Sequence, residues 1–119
     1  MTFRDDHFSD PPVADASVTL IAMQLDEFQQ LIRRRYFATD SARGAPGTFL
    51  WFSEEVGELA HAIGKHQRGD RSPDDRANLQ EEFADVLAWL ATLANILEVD
   101  LTQAVIDKYV ADGGPEGTK

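Results

Sequence analysis

The feature that most constrains the fold of this 119-residue chain is a long apolar pattern at helical spacing in its second half. Apolar side chains recur every three or four positions from Leu79 to Leu97, as they do in a helix with one buried face. Ser72 and Pro73 precede this pattern as an N-cap residue and a proline at the first helical position, with the acid Asp75 at the third. We therefore expect a helix that begins at Pro73 and buries its apolar face.

Three more helices are predicted from weaker signals. Residues 38–47 contain two glycines and a proline, so we expect a break there, with Thr48 as the N-cap of the following helix. Asp100 followed by Gln103 is an approximate capping box. The predicted helices are Thr19–Phe37, Thr48 to about His66, Pro73 to about Leu97, and Asp100–Tyr109. No segment alternates as a strand does, so the predicted fold is an all-α, four-helix bundle.

Composition narrows the domain organisation and the classes of function. We expect one domain over residues 17–110, between a flexible acidic segment at residues 1–16 and a flexible tail at residues 111–119. The absence of cysteine excludes disulfides, thiolate catalysis and zinc-thiolate sites. A net charge of -10 argues against nucleic acid as a partner. No apolar run approaches a membrane span and no secretory signal is recognisable, which predicts no membrane partner and a cytoplasmic protein.

Two acidic clusters lie within the predicted second and third helices. Residues 54–58 read E-E-V-G-E, and residues 82–85 read E-F-A-D. The carboxylates three positions apart are Glu55 with Glu58 and Glu82 with Asp85. Because a helix advances about 100° per residue, the members of each pair project about 60° apart from one face. The intervening residues 59–81 are enough to finish one helix, turn and begin an antiparallel neighbour, so the two pairs can face each other.

Four facing carboxylates would repel each other and lose hydration. Two remedies are open, namely proton sharing or a hard divalent cation, and the cation explains more of the pattern. Ligands that are all oxygen favour Mg²⁺ or Mn²⁺, which keep open positions for water and phosphate oxygens. Trp51 projects with the first pair and Trp89 with the second, as a pocket wall would. The plain alternative is that both clusters are solvated faces of surface helices.

The ordered motifs resemble those of the MazG-type, all-α nucleoside triphosphate pyrophosphohydrolases, whose signature is E-E-x-x-E, a variable spacer, then E-x-x-D. Similarity extends over residues 40–44, 48–60, 93–95 and 99–101, and so covers most of Thr19–Tyr109. The resemblance implies Mg²⁺-dependent hydrolysis of a nucleoside triphosphate at the α-phosphorus, giving the monophosphate and pyrophosphate. It also implies a homodimer or homotetramer in which neighbouring subunits complete the bundle and the site.

The resemblance further implies roles for individual residues. The metal ligands would be Glu55, Glu58, Glu82 and Asp85. Glu54 would direct or deprotonate the attacking water, so the catalytic set is Glu54 and Glu55. Trp51 and Trp89 would contact the nucleoside. Asn95 would bind base or sugar, or else satisfy a helix or subunit contact. Lys108 is the favoured phosphate ligand, with Arg43 and Lys65 behind it, and the run Arg33–Arg35 is interpreted as a solvated face or a subunit salt-bridge site.

Three other functions stay open at this point. Phosphoribosyl-ATP pyrophosphohydrolases cleave the same kind of bond with similar carboxylates. A di-iron carboxylate bundle would use an E-x-x-H segment such as Glu58–His61, but it needs a second one, and residues 82–85 end in aspartate. A non-catalytic acidic helical adaptor would leave the inward acidic stripe unexplained.

Overall fold

The computed structural model describes residues 22–117, which are helical over most of their length and contain no β-strand. The helices are α1 (Leu25–Gln67), α2 (Pro73–Ile96) and α3 (Leu101–Val105), followed by a π-helical segment (Ile106–Val110) and a 3-10 turn (Ala111–Gly113). The all-α prediction is confirmed. The predicted start of the first helix at Thr19 is wrong, because residues 22–24 are not helical and Gln24 is the N-cap of α1. The N-terminal segment 1–16 lies outside the described residues.

The first two predicted helices form one element that is interrupted at a single residue. Gly44 has φ 81° and ψ 169°, a conformation essentially restricted to glycine, and it divides α1 into a first arm (residues 25–43) and a second arm (residues 45–67). Pro46 lies in the first turn of the second arm, where a missing N–H costs no helical hydrogen bond. The break is therefore one residue long, and the prediction of a break over residues 38–47 is wrong.

The predicted N-cap role of Thr48 is also wrong. Thr48 lies inside the second arm and is fully buried. Its hydroxyl donates a 2.7 Å hydrogen bond to the carbonyl oxygen of Gly44, four residues earlier. Threonine can bond back to the preceding turn in this way as well as cap a helix, and the sequence signal does not distinguish the two.

The start of α2 is the one predicted from the sequence. The backbone N–H of Asp75 donates to Ser72 Oγ at 3.1 Å, and the backbone N–H of Ser72 donates to Asp75 Oδ2 at 3.3 Å, which completes a capping box. Lys65 Nζ lies 3.0 Å from Asp75 Oδ1. The ion pair therefore ties the last turn of α1 to the first turn of α2.

Contacts at the two ends of this helix pair show that the second arm and α2 are antiparallel. Lys65 meets Asp75 beside the connecting turn, whereas Trp51 meets Trp89 well away from it. The first arm crosses the C-terminal half of α2, where Gln29 and Asn95 exchange hydrogen bonds of 3.1 and 3.2 Å. The two arms thus pack on the same helix from different directions.

Gln29 also fixes the beginning of α3. Its amide nitrogen donates to the carbonyl of Val99 at 2.7 Å, and its amide oxygen accepts from the N–H of Leu101 at 3.0 Å. Asp100 caps α3, as the sequence predicts, by accepting the N–H of Gln103 at 3.0 Å. The helical run then changes to the π pattern at Ile106 and ends at Val110, one residue beyond the predicted end.

The buried core of the described chain is small. Its apolar members are Ile32, Ala62, Ala91, Leu93 and Ala94. Large apolar side chains remain exposed instead, among them Phe49 (55%) and Leu50 (72%) on α1, Phe83 (56%) on α2, and Leu97 (59%), the C-cap of α2. Among the described residues, no helix has a stretch long and apolar enough to cross a bilayer.

The conformation of Gly44 gives a first prediction. Gly44→Ala should lower the free energy of unfolding by about 1–3 kcal/mol, because a Cβ is strained at this φ and ψ although it would meet only Pro46 Cδ, at an ordinary 3.9 Å. The matched control is Gly64→Ala, at a helical position where a Cβ meets Arg68 at an ordinary 3.6 Å. It should gain about 0.5–1 kcal/mol. Urea unfolding of both variants measures the contrast, and equal effects would contradict a conformational role for Gly44.

The capping box gives a second prediction, on pH dependence. Hydrogen bonds from Lys65, then from Ser72, hold the pKa of Asp75 below its ordinary value. An acid with a lowered pKa in the folded state stabilises the fold above its unfolded pKa, and this stability is lost as pH falls through the folded pKa. Asp75→Asn should therefore lower the Tm near neutral pH, and the difference from the parent should shrink as the pH falls below the ordinary aspartate pKa of 3.8. Asp70→Asn, which alters an exposed 3.9 Å ion pair with Arg68, is the control and should change little.

Candidate functional site

Three carboxylates from the two antiparallel helices converge at one point. Glu55 comes from the second arm of α1, and Glu82 and Asp85 come from α2. Each offers one oxygen atom, and these atoms all lie within 4.8 Å of one another. The structure thus brings together three of the four carboxylates that helical projection placed on facing stripes.

In this acidic cluster, Glu55 with Glu82 and Asp85, Glu82 is buried, Glu55 is half-buried and Asp85 is exposed. Glu82 is only 9% exposed, and one oxygen of Glu82 and one of Glu55 have no hydrogen-bond partner among the described residues. Burial raises the pKa of Glu55 above its ordinary value, with further contributions from Glu58, Asp85, Glu82 and Glu54. Burial is also the largest cause of the raised pKa of Glu82, and repulsion from Glu58 and Asp85 adds to it. Among residues 22–117, no basic side chain forms an ion pair with the cluster.

The donor set fits a hard divalent cation. All the available ligand atoms are carboxylate oxygens, which Mg²⁺ and Mn²⁺ prefer, and the two unpartnered oxygens belong to residues of the same cluster. A bound cation would satisfy both oxygens, and its charge would offset both the loss of hydration and the repulsion that raise the pKa values of Glu55 and Glu82.

Glu54 and Glu58 lie on the exposed flank of the cluster. Both side chains are exposed, and with Glu82 they line an open groove of about 440 Å³ that also includes Gly57, His61 and Asn78. Glu58 is close enough to raise the pKa values of Glu55 and Glu82, but it is not one of the three converging carboxylates. His61 faces this groove and is likewise outside the cluster.

The two tryptophans of the chain stack on each other one helical turn from the acids. The ring centroids of Trp51 and Trp89 are 6.2 Å apart and the ring planes differ by 14°. Trp51 precedes Glu55 by four residues on α1, and Trp89 follows Asp85 by four residues on α2, so antiparallel packing brings both rings to the same side of the cluster.

A second cavity, of about 370 Å³, extends from the acidic cluster along Trp89. Its lining residues are Ile32, Tyr36, Thr39, Asp40, Arg43, Asp85, Ala88, Trp89 and Thr92. Of the first-arm residues of this cavity, sequence reasoning assigned only Arg43 to a site, as a phosphate ligand behind Lys108. For Asp40 the available signal was the segment 40–44, which was used only as part of the family resemblance. The cavity joins one acid of the cluster to an aromatic wall.

Asn95 and the predicted cationic ligands lie elsewhere or are already engaged. Both polar groups of the Asn95 side chain bond to Gln29, an arrangement that favours the helix-contact alternative, and its role as a substrate ligand stays a prediction. Lys65 is paired with Asp75 at the turn. Lys108 is exposed on the π-helical segment, with Nζ 5.4 Å from the ring centroid of Tyr109, and lines neither cavity beside the acids.

Arg43 is held in place within the second cavity. Its guanidinium lies 3.2 Å from Asp40 Oδ1, donates to Thr48 Oγ1 at 3.1 Å, and lies 5.1 Å from the ring centroid of Trp89. The run Arg33–Arg35 is exposed, as predicted, and Arg33 lies 3.9 Å from the ring centroid of Phe37.

Comparison with known proteins gives a consistent result. Residues 46–111, just over half of the chain, match the model of the MazG nucleotide pyrophosphohydrolase domain, a range that includes both acidic clusters and both tryptophans. The chain is also similar to proteins named dCTP pyrophosphatase 1, with 48% identity to the mouse protein and 46% to the human protein over 59 residues. These matches span 45% of this chain and only 35% of each relative.

The acidic cluster gives a third prediction. An acid whose pKa is raised in the folded state destabilises the metal-free fold as pH rises above its unfolded pKa. Glu82→Gln should therefore raise the Tm of the metal-free protein near neutral pH, and it should reduce or abolish any Tm increase on adding Mg²⁺. The adjacent exposed Glu81→Gln is the control and should retain the Mg²⁺ effect. A Glu82→Gln protein that is less stable without metal, or equally stabilised by Mg²⁺, would contradict this assignment.

Proposed function

Because this chain belongs to the MazG nucleotide pyrophosphohydrolase family, we propose that it hydrolyses nucleoside triphosphates to the monophosphate and pyrophosphate. The observation that carries the proposal is the pair of buried, unpartnered carboxylate oxygens on Glu55 and Glu82, beside a cavity with an aromatic wall. A polyphosphate needs a cation at such a site, and a nucleoside needs an aromatic surface next to it. Both requirements are met within one helical turn.

The proposed metal ligands are Glu55, Glu58, Glu82 and Asp85. The first, third and fourth already converge, and Glu58 flanks them on the exposed side. When bound, Mg²⁺ or Mn²⁺ would neutralise phosphate charge, align the leaving group and make a bound water more acidic.

Glu54 is the proposed general base. Its exposed carboxylate lines the groove next to Glu58 and Glu82, so it can reach a water molecule there. The water oxygen attacks the α-phosphorus, its proton passes to the Glu54 carboxylate, and the bond from the α-phosphorus to the bridging oxygen breaks to release pyrophosphate. Glu54 is not a member of the converging cluster, which leaves its carboxylate free for this proton transfer.

The nucleoside is proposed to pack against Trp89 in the second cavity, with Trp51 supporting that ring from the other helix. Stacking on an aromatic side chain is worth about 1–3 kcal/mol per base in proteins that bind single-stranded nucleic acids, and the same contact is available to a free nucleotide. Since the relatives are named for dCTP, a deoxynucleotide is the first substrate class to test and dCTP the first member of it. Nucleotide-pool house-cleaning is the corresponding proposed role.

A homodimer or homotetramer is proposed as the working assembly. Leu50 and Phe83 are exposed on the helices that carry the site. Phe49 and Leu97 are also exposed and line one apolar groove, and an exposed apolar patch is a common mark of a protein–protein interface. Lys108 lines neither cavity of its own subunit. It remains a proposed phosphate ligand, and it would act at the site of a neighbouring subunit in the assembly. The cytoplasmic location stays a prediction.

The other functions are less well supported. The family match favours the MazG branch over phosphoribosyl-ATP pyrophosphohydrolase. The di-iron reading needs histidine among the ligands, whereas His61 lies outside the converging carboxylates. An adaptor gives no reason to bury unpartnered carboxylate oxygens.

The proposal is tested by incubating the protein with Mg²⁺ and a panel of ribo- and deoxynucleoside triphosphates, dCTP included, and by quantifying pyrophosphate and orthophosphate. Pyrophosphate and the nucleoside monophosphate should form in equal amounts. Orthophosphate as the only primary product would refute attack at the α-phosphorus.

The division of roles gives a fourth prediction. Glu54→Gln should lower kcat by about 10²–10⁴-fold, the range expected for a general base, while Mg²⁺ still raises the Tm. Glu55→Gln should lose both turnover and the Mg²⁺-induced shift. Glu81→Gln is the control for removing a charge nearby and should keep both. If Glu54→Gln also lost the Mg²⁺ shift, Glu54 would be a metal ligand rather than the base.

A further inference from the structure

Arg43 connects the break in α1 to the aromatic wall of the second cavity. It is the last residue of the first arm, directly before Gly44, and its side chain reaches Trp89 on α2. The side chain is only 24% exposed. An arginine used mainly for solvation would not be enclosed in this way.

Two anchors hold the guanidinium at this position. Asp40, which is 5% exposed, pairs with Nη2, and the fully buried Thr48 accepts a hydrogen bond from Nη1. The two anchors come from opposite sides of the Gly44 break. Gly47 allows the approach, because a Cβ at that position would lie 3.1 Å from Arg43 Cγ.

Trp89 contacts both this guanidinium and the Trp51 ring. A cation near an aromatic face is attracted by the ring quadrupole, and the attraction is greatest where water is excluded. Loss of the cation would remove one of these two contacts on the Trp89 ring and leave the stack on Trp51. Since Asp85 lies one helical turn before Trp89, the orientation of the ring also sets where a nucleoside lies relative to the acidic cluster.

We propose that Arg43 is a positioning residue, which, held by Asp40 and Thr48, fixes the Trp89 ring as the surface on which the nucleoside of the substrate packs. This inference rests on the proposed function for the identity of the ligand and replaces the expectation that Arg43 binds phosphate. Arg43 acts through Trp89 and contributes to binding of the nucleoside rather than to the chemical step. Its role requires that the first arm, which carries none of the acidic cluster, be docked on α2.

The first test uses the enzyme's steady-state kinetics with dCTP, or with the best substrate found in the panel. Arg43→Met keeps the length of the side chain and removes its charge, and it should raise KM about tenfold with kcat within about twofold of the parent. Arg33→Met removes another arginine–aromatic contact from the same arm and should leave both constants unchanged. A fall in kcat at constant KM, or no change in either constant, would overturn the proposal.

The second test asks whether Arg43 acts through Trp89. In a Trp89→Phe background, adding Arg43→Met should raise KM by less than about twofold, because the ring that Arg43 positions is no longer an indole. If the fold-increase in KM of the double variant equals the product of the two single-variant increases, Arg43 contributes independently of Trp89 and the proposal is overturned.

The third test is spectroscopic and does not need turnover. The chain has two tryptophans and both belong to the stack, so the near-ultraviolet circular dichroism of the indoles reports this pair. Arg43→Met should change that signal without ligand and leave far-ultraviolet helical content and the Mg²⁺-induced Tm shift intact, whereas Arg33→Met should change none of them. An unchanged indole signal would overturn the proposal whether or not the protein is a pyrophosphohydrolase.

These outcomes separate the two proposals. If the parent protein releases no pyrophosphate from any nucleotide, the proposed function fails, and the indole signal still decides whether Arg43 positions Trp89. If Arg43→Met does not fold, the same measurements are made on Arg43→Gln, with the same expected results. This variant keeps an N–H donor but loses the charge beside Trp89.

Discussion

Repulsion among carboxylates that two helices force together is the constraint on which the rest of this structure depends. One oxygen each of Glu55, Glu82 and Asp85 lies within 4.8 Å of the others, although burial raises the pKa of Glu55 and of Glu82. The contacts that oppose this repulsion lie on either side of the cluster. Towards the turn they are the Lys65–Asp75 pair and the capping box of α2, and away from it they are the stacked tryptophans. The fold holds a charged site together from its flanks.

The buried interior of the described residues contains many polar side chains. Beside a few small or medium apolar residues, the buried positions include Asp40, Thr48, Glu82, Thr92 and Asn95. Two of these, Asp40 and Thr48, secure the side chain of Arg43, and Asn95 secures Gln29. The interior of the described chain is therefore used largely to fix polar groups. Large apolar side chains such as Leu50 and Phe83 stay at the surface, where the proposed assembly would use them.

Much of this arrangement could be predicted from local patterns, because it depends on helical spacing. Ser72 and Pro73 correctly predicted the residue at which α2 begins. The carboxylates spaced three residues apart included all three residues that converge. The break before the second arm could not be read in the same way. Glycine and proline near residues 44–47 indicate a loop by composition, yet Gly44 alone makes the turn and Pro46 already belongs to the next helix. The contacts of Arg43 depend on how the first arm docks on α2, and no local spacing encodes that docking.

Because α1 is broken at the single residue Gly44, the number of residues between Gly44 and Glu55 fixes where the site lies relative to the first arm. The anchor Thr48, the ring of Trp51 and the ligand Glu55 follow Gly44 on one uninterrupted helix. One inserted or deleted residue between Gly44 and Glu55 would rotate everything beyond it by about 100° and shift it by about 1.5 Å along the axis relative to the first arm. The connecting residues 68–72 carry no ligand of the cluster and lie outside the segment from Gly44 to Glu55. Natural variation in length should therefore collect in that turn and be scarce in the second arm, even where the individual side chains of the arm differ.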